Sequence, residues 1–145
     1  MRKGIPLTDN DRWDWLVALR NAAVKQLKGS NAILIACSCL RRRYRDVFRV
    51  VSYGSPTIQT HFIYLKLDEE HLEARLTMRM GHYMKESMLR SQIECMEEPA
   101  QDEFDVVTVD VQRDQAAVCG DALAVVRARL NQHETGITEF ERQAG

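Results

Sequence analysis

No stretch of the 145-residue chain approaches the ~20 consecutive apolar residues that a membrane-spanning helix needs. Its start, Met1-Arg2-Lys3-Gly4-Ile5-Pro6, has no hydrophobic run of the signal-peptide type. Neither sign of charge is in excess: 20 Lys and Arg face 21 Asp and Glu, a formal net charge of −1. That balance gives no reason to expect a nucleic-acid partner. Four cysteines are too few for the disulfide framework of a small secreted domain. Cys37-Ser38-Cys39 has the wrong spacing for a redox CxxC pair, so free thiols at the end of a buried strand are expected. His61, His71, His82 and His133 are scattered, and no pair has zinc-ligand spacing. These absences lead us to expect a cytoplasmic protein with no membrane partner, no nucleic-acid partner and no metal held by its own side chains.

What is present is ordinary globular composition, 45% hydrophobic and 28% charged, over a length that suits one domain. There is no internal repeat and no low-complexity block. Thr8-Asp9-Asn10-Asp11 resembles a capping box, and Leu16, Leu19, Ala23 and Leu27 follow at helical spacing, with Gly29 as a stop. Ala32–Cys37 is apolar throughout without alternation, which predicts a strand covered on both faces. Leu40, Tyr44, Val47 and Val51 predict a second helix, and Ser52–Thr60, with Gly54 and Pro56, a loop. His61–Leu65 predicts a strand. Leu72 and Leu76 predict a helix interrupted at Gly81, and Met84, Met88, Ile93 and Met96 another, ended by Pro99. Val106–Val109 predicts the next strand, and Val118, Ala122, Val125 and Leu130 the last helix. Beyond Asn131 the apolar period fades, which predicts a frayed tail over 131–145. Strands alternating with helices predict an α/β layer fold with a parallel sheet, whose ligands lie outside the carboxyl ends of the strands. That points to the segments after Cys37, Leu65 and Val111.

Two polar clusters could carry chemistry. The first is Ser38-Cys39-Leu40-Arg41-Arg42-Arg43-Tyr44-Arg45-Asp46, at a strand-to-helix junction whose free backbone N–H groups favour anions. Arg41 and Arg45, four apart, are expected on one helix face, where with Ser38 they could hold a carboxylate or phosphate. A solvated basic face is the plainer alternative. The second is Arg75-Leu76-Thr77-Met78-Arg79-Met80-Gly81-His82-Tyr83, arginines beside a glycine hinge, as suits a lid over a polyphosphate. Its plainer alternative is exposed arginines paired with Glu73 or Glu86. None of the seven glycines belongs to a GxxxxGK[ST] phosphate loop, and there is no GxSxG element.

The ordered motifs resemble those of the gluconokinases, small P-loop kinases of the shikimate-kinase type. Gly4-Ile5-Pro6-Leu7-Thr8-Asp9-Asn10-Asp11-Arg12 with Trp15-Leu16 is similar to the family's G-x-P-L-x-D-x-D-R…W-L. Ala36-Cys37-Ser38-Cys39-Leu40-Arg41 with Tyr44-Arg45-Asp46 resembles C-S-A-L-K-x-x-Y-R-D, and Phe62-Ile63-Tyr64-Leu65 its F-I-Y-L strand. Arg75-Leu76 with Arg79, Gly81, His82 and Tyr83 resembles the lid R-L-x-x-R-x-x-H-F. Ser91-Gln92, Glu98-Pro99 and Asp102-Glu103 are similar to the stretch before the last strand. The resemblance spans Gly4 to about Leu130.

It implies transfer of the ATP γ-phosphoryl group to D-gluconate, giving 6-phosphogluconate, with ATP and Mg²⁺ as cofactors. Ser38, Arg41, Tyr44 and Arg45 would line the sugar-acid pocket, with Gln92 on the substrate side. Arg75, Arg79 and His82 would form the lid over ATP, one of the two lid arginines neutralising charge on the transferred group. The implied fold is a three-layer α/β sheet of the P-loop kinase type missing its first two strands: residues 1–130 as an incomplete kinase domain, 131–145 as tail. Cys39 stands for the family Ala, Arg41 for Lys and Asp14 for Pro, and the loop 51–60 is longer than usual.

The chain reads as a gluconokinase begun downstream of its phosphate loop, which should cost many powers of ten in rate, since positioning and charge stabilisation supply nearly all catalysis in such kinases. The strand that would pair with Ile33–Cys37 is missing too, so a marginal, rearranged or oligomeric chain is expected, either a homo-oligomer or one paired with the full-length kinase. The alternative is a non-catalytic sugar-acid-binding or regulatory fragment.

Overall fold

The computed structural model describes residues 9–68, 71–72, 75 and 86–144. Its elements are α1 (Asp9–Leu27), α2 (Arg42–Gly54), β1 (Phe62–Lys66), α3 (Glu86–Glu94), β2 (Val106–Asp110) and α4 (Gln115–Ala144). They fall into two compact units, Met1–Pro56 with Met80–Pro99, and Thr57–Arg79 with Ala100–Gly145.

The first unit is helical. Tyr44, Val47 and Phe48 recur at the spacing of one α2 face and are buried, together with Leu16 of α1, which packs against α2. Arg20 of α1 donates from Nη1 to the Val47 carbonyl at 3.4 Å. The stop after Leu27 falls where Gly29 predicts it: the Gly29 and Ser30 amides donate back to Gln26 and Leu27. Helix α2 runs to Gly54, further than the predicted loop boundary at Ser52, and the Ser55 amide closes it on the Val51 carbonyl.

The predicted strand Ala32–Cys37 is not formed. The segment has no regular secondary structure, and Ile33 is 38% and Leu34 86% exposed. A non-alternating apolar strand is stable only with neighbours that take up its backbone groups and cover both faces. Among the described residues no strand lies beside it, the one sheet being the pair β1–β2.

In the second unit β1 and β2 pair in parallel, in register from Phe62↔Val106 to Lys66↔Asp110. The ladder is extended at both ends, by the Phe62 amide on the Asp105 carbonyl and the Val111 amide on the Lys66 carbonyl. Parallel neighbours this far apart in sequence require the long crossover that an α/β chain supplies. Val109 and Val111 are buried, and α4 packs on β2. Buried Glu103 shapes the turn into β2: its carboxylate accepts the Ala100 amide at 3.0 Å, and its own amide donates to the Ala100 carbonyl. The segment expected as a tail continues α4 without a break to Ala144.

Candidate functional site

The site is built on the loop before α2. Cys39 lies in the left-handed region, with φ of 40°, the one non-glycine residue described there. For a side-chain-bearing residue that conformation costs about 1–2 kcal/mol, so its surroundings must hold it. Arg45 does so. The residue is only 3% exposed, and its Nη1 donates to the Cys39 carbonyl at 3.1 Å and to the Glu97 carbonyl at 3.2 Å. Glu97 answers twice more. Its amide donates to the Leu40 carbonyl at 2.8 Å, and its Oε2 accepts the Arg42 amide at 2.9 Å.

These bonds revise the local reading of the first cluster. Helix α2 begins at Arg42, while Arg41 is extended at φ −110° and ψ 149°. Arg41 and Arg45 therefore do not share a helix face. An anion is present at the helix N-terminus, as the free amides and dipole favour, but it is the carboxylate of Glu97. Arg41 is half-buried, with Nη2 3.4 Å from the Cys95 sulfur. Tyr44 is buried, and the Arg43 guanidinium lies 5.4 Å from its ring centre, in cation–π range. Ser38 is exposed in the loop itself, and Gln92 is half-buried on α3 of the same unit.

The thiols are free but do not end a strand. Cys39 donates its S–H to the Cys37 sulfur at 3.5 Å, and both are half-buried. That bond brings Cys37 down to about 7, and the same bond, with burial behind it, pushes Cys39 up.

In the second unit Arg75 is helical and exposed. Its Nη2 donates to the Val111 carbonyl at 2.6 Å and to the Arg113 carbonyl at 3.4 Å, which places it at the carboxyl end of β2, one of the three regions named from the strand order. Asp68 starts the turn leading to it: its carboxylate accepts the His71 amide at 2.8 Å, and its carbonyl accepts the Leu72 amide. The His71 amide, then the His71 ring, hold the Asp68 carboxyl below its usual range. Arg79 and His82, the other residues expected in a lid, lie outside the described residues, as do Thr8, Leu76 and Gly81.

Sequence reasoning did not single out Glu97 or Cys95. They meet Arg42 and Arg41 across 55 and 54 residues, a separation at which no periodicity or cap signal operates. Among the described residues no group of three or more His, Cys, Asp and Glu is arranged to hold a metal ion.

No protein-family model matches the chain. It is 40% identical over 127 residues to the thermoresistant gluconokinase of Escherichia coli K12, covering 88% of this chain and 70% of that protein. It is also 40% identical, over 130 residues, to the thermosensitive gluconokinase of the same organism, covering 88% and 67%. The crystal structure of a gluconokinase from Sinorhizobium meliloti 1021 superposes with a TM-score of 0.74 at 34% identity, covering 94% of this chain and 73% of that one. With that similarity spread over nearly the whole sequence, and with parallel strands joined by a crossover, the chain belongs to the gluconokinase family.

Proposed function

We propose that this chain carries the sugar-acid and lid portions of an ATP-dependent gluconokinase, which transfers the ATP γ-phosphoryl group to D-gluconate. The observation that supports this most is 40% identity to gluconokinases over 88% of the chain. The first unit supplies the pocket. Arg41, a fixed charge in a half-buried setting, is the residue for the gluconate carboxylate, because a guanidinium fork matches a carboxylate with two parallel bonds. Exposed Ser38 and half-buried Gln92 supply neutral donors and acceptors for sugar hydroxyls. Arg45 and Tyr44 are both buried: Arg45 acts by fixing the Cys39 carbonyl and thereby the backbone on which Ser38 stands, and Tyr44 belongs to the buried face of α2.

Arg75, Arg79 and His82 form the lid over ATP, where a guanidinium offsets charge on the moving phosphoryl group. Among the described residues no group of three or more His, Cys, Asp and Glu is arranged around a metal ion, and the 145 residues hold no GxxxxGK[ST] element. No catalytic step is therefore assigned to them through the metal. The test measures 6-phosphogluconate formation from D-gluconate and Mg-ATP, by this chain and by the same chain joined to the phosphate-loop segment of a relative. Product from the joined protein, abolished by Arg79→Ala, is expected. No product from either sinks the proposal.

A further inference from the structure

The Cys37–Ser38–Cys39 loop has features that sugar-acid binding does not use. The two sulfurs lie 3.5 Å apart, within a single residue of each other's backbone. A disulfide bond is about 2.05 Å long, so they need approach by only roughly 1.5 Å, which side-chain rotation can supply. Both thiols are half-buried, open enough for a small oxidant, and Ser38 between them is exposed. The hydrogen bond has a direction: Cys39 is the donor and Cys37 the acceptor. The backbone at Cys39 is strained at φ 40°, and its carbonyl is the anchor for Arg45.

We propose that Cys37 and Cys39 form an oxidisable thiol pair, a modification site at which a peroxide closes an intrachain disulfide around Ser38. The Cys37 thiolate attacks one peroxide oxygen; the S–O bond forms, the O–O bond breaks, and hydroxide leaves. Cys37 is then a sulfenic acid, its sulfur oxidised by two electrons and the peroxide reduced by two. The Cys39 sulfur attacks the Cys37 sulfur; the S–S bond forms, the S–O bond breaks, and the oxygen leaves as water with the Cys39 proton. The roles follow from the hydrogen bond, since the acceptor sulfur is the one stabilised as thiolate. Burial and the same bond keep Cys39 protonated until the second step, while the Arg45 and Arg49 guanidinia pull it the other way.

The ring closed by this bond contains the Ser38 backbone and ends at the Cys39 Cα, directly beside the carbonyl that Arg45 holds. Oxidation therefore weakens gluconate binding, a consequence that rests on the proposed sugar-acid site, whereas formation of the disulfide does not.

The test treats the 145-residue chain with hydrogen peroxide at neutral pH and reads the mass of the intact protein and of its tryptic peptides. Cleavage after Lys28 and Arg41 isolates Cys37 and Cys39 on one peptide, apart from Cys95 and Cys119. The expected result is loss of two hydrogens from that peptide, reversed by dithiothreitol, retained in a Cys95→Ser, Cys119→Ser double variant and replaced by oxygen addition at Cys37 in Cys39→Ala. Persistence of two alkylatable thiols on the peptide, oxygen addition without the disulfide in the unsubstituted chain, or a bridge to Cys95 or Cys119 would overturn it. The gluconate affinity of the oxidised and reduced forms is then compared. Equal affinities, with the disulfide proven, would remove the consequence and leave the modification site.

Discussion

Arg45 and Glu97 are 52 residues apart, yet the guanidinium of one donates to the carbonyl of the other at 3.2 Å while also holding the Cys39 carbonyl at 3.1 Å. One buried side chain thus ties the loop before α2 to the segment after α3. Substituting it leaves two carbonyls without their charged donor, and buried groups stripped of such partners cost about 1–3 kcal/mol each. Arg45→Ala is expected to lower stability by roughly 2–4 kcal/mol, read as a lower urea midpoint. A midpoint within error of the unsubstituted chain would show that the guanidinium holds nothing.

Glu97 acts on α2 through its carboxylate as well as its backbone. Glu97→Ala removes the acceptor for the Arg42 amide, a loss comparable to that of an N-cap, about 0.5–2 kcal/mol. Glu97→Gln keeps an acceptor and loses only the charge facing the helix dipole, about 0.3–1 kcal/mol. The expected order of thermal midpoints is unsubstituted, then Gln, then Ala. A Gln variant less stable than the Ala variant would contradict it.

Cys37 should alkylate as a thiolate with a midpoint near pH 7, well below an ordinary thiol at about 9. The rate of reaction with iodoacetamide, followed on the peptide from Gly29 to Arg41, therefore rises through neutral pH. Removing the donor in Cys39→Ala moves the midpoint up, because the hydrogen bond is the largest cause of the shift. A profile unchanged by that substitution would assign the shift elsewhere.

His61 titrates below 6.5, first through burial and then through the Arg129 and His133 charges, against which Asp105 pulls upward. The folded chain therefore binds fewer protons here than the unfolded one between that lowered value and 6.5. Stability from this group is fully present above 6.5 and is lost as pH falls through the lowered value. In an NMR titration the His61 midpoint rises in Arg129→Gln, though not fully to 6.5, since burial remains. A midpoint at or above 6.5 in the unsubstituted chain would reverse the sign.

Much of this was legible locally. Apolar spacing marked α1 and α2, and short apolar runs marked β1 and β2, because those signals arise within a few residues. Ala32–Cys37 misled for the same reason: its pattern records the neighbours a strand needs, and those residues do not pair here. Arg41 and Arg45 looked like one face because four-residue spacing implies it only inside a helix, and α2 starts between them. Glu97 could not be read at all, since its partners come from the far end of the sequence. The proximity of the two thiols was hidden behind spacing that excludes a CxxC motif but not a bond across one residue.

Recognition of a sugar acid by the loop from Ser38 to Arg45 is the property on which the proposed function depends. The most direct measurement titrates the chain with D-gluconate and follows the amide resonances of Ser38, Arg41, Tyr44 and Gln92. Saturable shifts at these positions, lost in Arg41→Ala and absent with D-glucose, which has no carboxylate, are predicted. No saturable shift, or equal shifts with D-glucose, would contradict it.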